Sequence, residues 1–303
     1  MTKDNMTFDA QATASLLGYA SLVSTLRETI VEYGAGRIVS PERLAIPLQQ
    51  GGLMLSMPSS AEDIAIHKLV NVCPGNLTRN LATINGQVVA YDSITGETKF
   101  VLDGPTVTGR RTAAVSALGA ITLTSGEPKE ILVIGTGKQA SNHVEAFTAL
   151  FPDARILSKG ISEHDTLSFV DRLQSIAPNL EALKGEIPAT VDVVVTVTTS
   201  KTPVYDEAVR AGRLIIGVGA FTADAVEISK QVVDNSFVIV DDPVGAKHEA
   251  GDLIQANFDW NRAGTLAQAI QGHLNPDAPI FFKSVGCAAW DLAACRVARK
   301  ALG

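Results

Sequence analysis

The run Glu130-Ile131-Leu132-Val133-Ile134-Gly135-Thr136-Gly137-Lys138-Gln139-Ala140 restricts the fold more than any other part of the chain. Ile131, Leu132, Val133 and Ile134 are apolar and mostly β-branched, the pattern of a strand buried on both faces. They lead straight into Gly-x-Gly-x-x-Ala and then into a helical pattern carried by Val144, Phe147 and Leu150. Gly135 allows a tight bend, Gly137 lets a backbone approach a pyrophosphate, and Ala140 lets the helix pack close to the strand. The helix start offers free N–H groups and a partial positive charge to phosphates. Gly135, Thr136, Gly137, Lys138 and Gln139 are therefore candidates for holding a dinucleotide. A plain glycine-rich turn is the alternative, and the strand before and helix after it favour the nucleotide. The 129 residues before the run leave room for a separate substrate domain.

A length of 303 residues suggests two domains. With 46% hydrophobic and 19% charged residues the chain has ample core, and a net charge of −7 argues against a nucleic-acid or anionic-membrane partner. Cys73, Cys287 and Cys295 are odd in number and lack a paired spacing, so they read as free thiols in a reducing compartment. The start, Met1-Thr2-Lys3-Asp4-Asn5, has no apolar leader region, and no apolar run reaches the roughly 18 residues of a membrane span. A cytoplasmic enzyme is expected. No His, Cys, Asp and Glu cluster has metal-ligand spacing, so no metal is expected.

Before the nucleotide turn, residues 9–17 and 21–33 read as helices, the second with Leu22, Leu26, Ile30 and Tyr33 on one face. Strand-like runs follow at 44–48, 52–57 and 64–72, then a hairpin of 81–91 with 99–102 around Gly96. Residues 105–124 read as a long helix with Pro105 at its start. From Glu130 strands and helices alternate: strands at 155–158, 191–198, 213–218 and 237–241, helices at 166–176, 205–211, 249–256 and 265–270. That grammar predicts an α/β fold with a doubly wound parallel sheet beside a second α+β domain. Residues 288–302 read as a final apolar helix.

Five blocks resemble the ornithine cyclodeaminase/μ-crystallin family: His67-Lys68-Leu69-Val70-Asn71, Arg110-Arg111-Thr112-Ala113-Ala114-Val115-Ser116-Ala117, the nucleotide turn, Val195-Thr196-Val197-Thr198, and Phe282-Lys283-Ser284-Val285-Gly286. The resemblance covers nearly the whole chain. It implies a substrate-binding and dimerisation domain of residues 1–111 with 286–303, an NAD(P)-binding domain of residues 112–285, and a homodimer. Family members move hydride at a carbon that bears a carboxylate and a nitrogen. They include ornithine cyclodeaminases, alanine dehydrogenases and ketimine reductases acting on pyrroline-2-carboxylate or piperideine-2-carboxylate.

Such substrates need cations, and Arg43, Lys68 and Arg111 match the positions the family uses for the carboxylate. Lys68 and Arg111 are also candidates for catalysis. The residues agree with this: Lys68 interrupts an apolar strand, where burial is costly without an anion. A cation such as Arg111, read as lying in the first turn of a helix, opposes the helix dipole unless an anion is present. Structural ion pairs would explain both residues as well. Arg110 reads as a bystander, and His67 should face away from Lys68.

The second strand of the nucleotide domain ends Ser158-Lys159-Gly160, without the carboxylate that binds a ribose 2′-OH. Lys159, with Ser158 as a hydrogen-bond donor, suits a 2′-phosphate, so NADPH is expected, with NADH possible. Val197, Thr198 and Val218 end central strands and should line the cofactor path, and the resemblance places Ser284 and Val285 by the nicotinamide. Two departures from the family pattern matter. Cyclodeaminases have an Asp where Phe221 stands and a Glu where Leu55 stands, so an apolar wall replaces two carboxylates that serve a cationic amine. Asp224 and Glu227 resemble acidic family positions; either suits a proton relay or simply a helix start, and Asp224 is the catalytic candidate. The expected reaction is NADPH-dependent reduction of a cyclic imino acid to L-proline or L-pipecolate. The alternatives are an ornithine cyclodeaminase, an alanine dehydrogenase-like enzyme using NAD, or a non-catalytic binding protein.

Overall fold

The computed structural model describes residues 6–274 and 279–303. The first five residues, read above for a leader region, lie outside the described residues. The chain divides into two compact units, Met1–Arg111 with Cys287–Gly303 and Thr112–Gly286. The second junction falls one residue after the expected 285/286, because Asp241 holds the Gly286 N–H at 3.0 Å together with Ser284 and Val285.

The first unit is built on a sheet of six described strands: β1 (Met6–Thr7), β2 (Leu44–Pro47), β3 (Leu53–Ser60), β4 (Ala65–Val72), β5 (Ile84–Tyr91) and β6 (Thr98–Asp103). Their order is β1-β6-β5-β4-β3-β2, antiparallel throughout except for the β1–β6 pair. Helices α1 (Ala10–Leu16) and α2 (Tyr19–Gly34) precede β2. Leu22, Leu26 and Ile30 recur every four residues on α2 and are at most 1% exposed. The C-terminal helix Ala288–Leu302 packs on α2 and on β3 and β4. Strand alternation points Ile66, Lys68 and Val70 of β4 to that core side.

The second unit holds eight described parallel strands: β7 (Glu130–Ile134), β8 (Arg155–Lys159), β9 (Leu180–Ala182), β10 (Val193–Thr196), β11 (Leu214–Gly217), β12 (Phe237–Val240), β13 (Gly264–Thr265) and β14 (Ile280–Lys283). The order β9-β8-β7-β10-β11-β14-β12-β13 reverses direction between β7 and β10. Every residue of β7, β10 and β11 is buried, as strands covered on both faces require. This is the doubly wound architecture expected from the alternation. Helix α3 (Gly104–Leu123) carries the junction between the units, and α4 (Lys138–Leu150) follows the nucleotide turn. Burial pushes His143 of α4 down to about 4. The ring is held between Ser116 and the Gln139 carbonyl, at 2.9 and 2.8 Å.

Three expectations change. Residues 205–211 are not helical. Val204 and Tyr205 both donate their N–H to the Glu227 carbonyl, and Tyr205 bridges to Ile228. The buried Arg213 guanidinium is spread over Pro188, Val191, Tyr205 and Glu207, so tertiary hydrogen bonds replace the helical ladder there. The helix expected at 249–256 is two short helices, Pro243–Glu249, capped by Asp242, and Gly251–Gln255. Gly251 cannot be bulkier, because a Cβ would meet the Ala225 carbonyl at 2.0 Å. Strands β9 and β14 add to those expected from the alternation; β14, Ile280–Lys283, lies between β11 and β12.

Gly119 of α3 lies against the ring of Phe282 in β14, and a Cβ there would meet the ring at 2.6 Å. Gly119→Ala should destabilise the second unit by about 1–3 kcal/mol through overpacking, read as a lower urea midpoint at unchanged slope.

Candidate functional site

Within the first unit, three elements bring charge into the core. Lys68 comes from the inward face of β4, opposite Met57 of β3. Arg111 comes from α3, and Asp291 from the first turn of the C-terminal helix. Lys68 Nζ lies 2.7 Å from Asp291 Oδ2, and Arg111 Nε lies 3.2 Å from Asp291 Oδ1. All three are at most 5% exposed. Burial pushes the Lys68 ammonium down to about 8; Asp291 opposes this, while Arg111 and Arg43 add to it. Arg43, just ahead of β2, is half-buried and close enough to act on Lys68 through its charge. Arg111 is the eighth residue of α3, not in its first turn, so the shared carboxylate rather than the helix dipole governs it. Two buried cations share one carboxylate, which leaves a net positive charge suited to a second anion.

Neighbours divide as alternation requires. His67 points away from Lys68 and bonds Ser56 at 2.8 Å. Arg110 donates to the Leu17 carbonyl and stacks on Tyr19 at 4.0 Å. Asp291 was missed in the sequence. The signal was there: it is the sole charged residue between Lys283 and Arg296, inside a helix start that is otherwise apolar.

Within the second unit, Gly135 has φ +129° and donates its N–H to the Lys159 carbonyl at 2.8 Å. A Cβ there would meet the Val197 carbonyl at 2.9 Å, so the bend needs glycine. Gly137 is the N-cap of the 13-residue α4 and makes no side-chain cap. A Cβ at Gly137 would meet nothing within 4 Å, so the helix start is open above it. Exposed N–H groups, open space and a dipole end fit a pyrophosphate. Lys138 is exposed beside them, Thr136 and Gln139 are half-buried, and Arg172 donates to the Thr136 carbonyl at 3.1 Å. Lys159 is exposed at the end of β8. Ser158 is fully buried, as are Ile156 and Leu157 before it, and its hydroxyl lacks a partner. Of the two residues expected at a 2′-phosphate, Lys159 reaches solvent and Ser158 does not.

Val197, Val218 and Val285 are 8% exposed and Thr198 is half-buried, all beyond the carboxyl ends of their strands. Asp241 was also missed: it accepts from Ser284 Oγ at 2.8 Å and from the N–H groups of Val285 and Gly286 at 3.0 Å. It thereby fixes the segment after β14. Phe221 is 42% exposed. Asp224 sits at the surface, paired with Lys201 at 2.6 Å and with Thr222. Lys201 beside it holds the carboxyl below its ordinary range. The carboxyl expected to take a catalytic part thus lies in a surface ion pair. Glu227 is not at a helix start but wholly buried, with both oxygens bonded to backbone N–H groups. Among the described residues no group of three His, Cys, Asp or Glu side chains could hold a metal ion, and no helix is long and apolar enough to cross a membrane.

Residues 3–302 match the model of the ornithine cyclodeaminase/mu-crystallin family. The chain is 62% identical over 296 residues to Delta(1)-pyrroline-2-carboxylate reductase 1 of Burkholderia multivorans, covering 97% of this chain and 95% of that one. It is 60% identical, with the same coverage, to the Delta(1)-pyrroline-2-carboxylate/Delta(1)-piperideine-2-carboxylate reductase of Azospirillum brasilense. Its fold matches that of Thermococcus litoralis Delta(1)-pyrroline-2-carboxylate reductase, solved with NADH and L-proline, with a TM-score of 0.85 at 23% identity over 98% of this chain and 97% of that one. The chain belongs to the ornithine cyclodeaminase/mu-crystallin family.

Proposed function

We propose that this chain reduces a cyclic imino acid, pyrroline-2-carboxylate or piperideine-2-carboxylate, with NADPH, giving L-proline or L-pipecolate. The observation that carries the reading is the buried Lys68–Asp291–Arg111 cluster, whose surplus positive charge suits a substrate carboxylate. The reductase names of the relatives at 60–62% identity support it. Phe221 and Leu55, at the two positions where cyclodeaminases carry carboxylates, suit a flat imine better than an ornithine ammonium.

In this reading Arg111, Lys68 and Arg43 hold the carboxylate and orient the imine carbon. Asp291 keeps Lys68 charged and fixes the direction of the Arg111 guanidinium. Gly135, Thr136, Gly137, Lys138 and Gln139 hold the cofactor pyrophosphate. Lys159, at a strand end that lacks a carboxylate, favours the 2′-phosphate of NADPH over NADH. A reduced nicotinamide supplies the hydride that the imine carbon accepts, while the ring nitrogen takes a proton.

The reading is tested by following NADPH and NADH oxidation with each imine. Arg111→Ala should raise KM for the imine by about 10²-fold or more while leaving the NADPH Kd unchanged, since a charged contact to a carboxylate is lost. Ammonia release from ornithine without imine reduction would overturn it.

The shifted Lys68 gives a pH signature. Below pH 8 the ammonium is charged and binds the carboxylate; above it the charge is lost, so kcat/KM should fall along an alkaline limb near pH 8. Asp291 raises the Lys68 pKa, so Asp291→Asn should move that limb to lower pH. An unmoved limb would show that another group titrates.

We also infer a homodimer through the open face of the first sheet. Register places Leu44, Ser56 and Leu69 side by side across β2, β3 and β4, with Ile46 beside Met54. Leu44, Ile46 and Leu69 are 60, 45 and 40% exposed, an apolar patch unusual on a monomer surface. Leu69→Lys should shift the species seen by sedimentation from dimer to monomer. The free thiols of Cys73, Cys287 and Cys295 agree with a cytoplasmic setting.

A further inference from the structure

A second set of buried ionisable groups lies in the second unit, apart from the Lys68 cluster. Glu227, Asp252 and Lys283 are each at most 2% exposed. Glu227 Oε1 accepts from the Thr198 N–H at 2.5 Å, and Oε2 from those of Gly219 and Ala220 at 2.6 and 3.1 Å. These amides lie just past the ends of β10 and β11, where the ladder has stopped and no strand partner remains. Asp252 Oδ1 in turn accepts from the N–H groups of Glu227 and Ile228 at 2.6 and 2.9 Å. Its Oδ2 pairs with Lys283 Nζ at 2.7 Å, and Lys283 is the last residue of β14. The three side chains thus tie together the carboxyl ends of three strands that are neighbours in the sheet, β10, β11 and β14.

The packing at this point leaves no slack. A Cβ on Gly219 would meet the Thr198 carbonyl at 1.9 Å and Glu227 Oε1 at 2.6 Å. A buried carboxylate is costly, and apolar packing would hold two loops more cheaply unless their exact placement matters. In open parallel sheets the ligand lies outside the carboxyl ends of the strands, each half of the sheet serving one half of a dinucleotide. The turn after β7 and the end of β8 suit the pyrophosphate and the adenosine side. The ends of β10, β11 and β14 are left for the nicotinamide side.

We propose that Glu227, braced by Asp252 and Lys283, is a positioning residue for the nicotinamide half of the cofactor. It holds the Thr198 and Gly219-Ala220 backbones in the geometry that receives the ring, and it does not act on the adenosine half. Its oxygens are taken up by backbone donors, so it works through those amides rather than by touching the ligand. This inference rests on the NADPH reading above.

The test is isothermal titration of the full-length protein with NADPH and, separately, with 2′,5′-ADP, which carries only the adenosine half. In Glu227→Gln an amide N–H₂ faces backbone donors that the carboxylate accepted. The NADPH Kd should then rise by about tenfold or more, as loss of a charge-assisted hydrogen bond implies, while the 2′,5′-ADP Kd stays unchanged. Unchanged NADPH affinity, or equal weakening of both ligands, would overturn the proposal. Should Glu227→Gln fail to fold, Asp252→Asn decides by the same criteria, since it keeps the Oδ1 acceptor and breaks only the bond to Lys283. If the wild-type protein binds 2′,5′-ADP and NADPH and reduces an imine but the variants match it, only this inference falls. If the wild-type protein binds neither ligand, the cofactor reading falls, and the inference with it.

Discussion

Two cations, Lys68 and Arg111, are buried in the first unit against the single carboxylate of Asp291. Neither cation would be tolerable there alone, because an unpaired charge at that depth costs several kcal/mol. With one carboxylate between them they are held in place but not neutralised. The strand, the long helix and the C-terminal helix each contribute one member, so the contacts that join these elements also leave a surplus of positive charge. A hydrophobic replacement could pack as well, yet it would carry no positive charge.

The second unit handles its polar groups by the opposite means. Where the first unit sets two buried cations on one carboxylate, the second sets buried carboxylates on backbone N–H groups at the ends of its strands. Glu227 gathers three backbone N–H groups after β10 and β11, and Asp241 gathers two after β14. A parallel sheet leaves such groups unpaired where the ladder stops, and loops of this kind usually satisfy them with water or hydroxyls. Buried carboxylates make stronger and more directional bonds, which suits loops that must keep one shape beside a ligand.

The same reasoning separates this chain from other members of its family. Where cyclodeaminases carry Asp and Glu, Phe221 and Leu55 stand here. In the reading proposed above, the loss of both carboxylates beside retained cations moves preference from an amino acid with a second ammonium toward a ring imine. A change of charge at two positions leaves the fold intact, and chains of one architecture divide among several reactions.

Much of this was legible in the residues because it rests on local chemistry. The β7 strand and its glycine turn, the exclusion of a carboxylate from the end of β8, the inward alternation of Lys68 and the α2 stripe all follow from spacing over a few positions. What failed had a long-range cause. Residues 205–211 read as helix, yet Tyr205 and Arg213 are held by partners far along the chain. Ser158 is buried at the end of β8, which its polarity and its place at a strand end do not announce. Lys201 pairs with Asp224 from 23 positions away, a partner that spacing does not announce. The sequence by itself determined the alternation of strands and helices, the nucleotide turn and the need of Lys68 for an anion. Tertiary structure alone decided that the anion is Asp291, 223 positions away, and that Glu227 serves backbone amides rather than substrate. Pairing of charges depends on distance in space, and spacing along the chain carries no record of it.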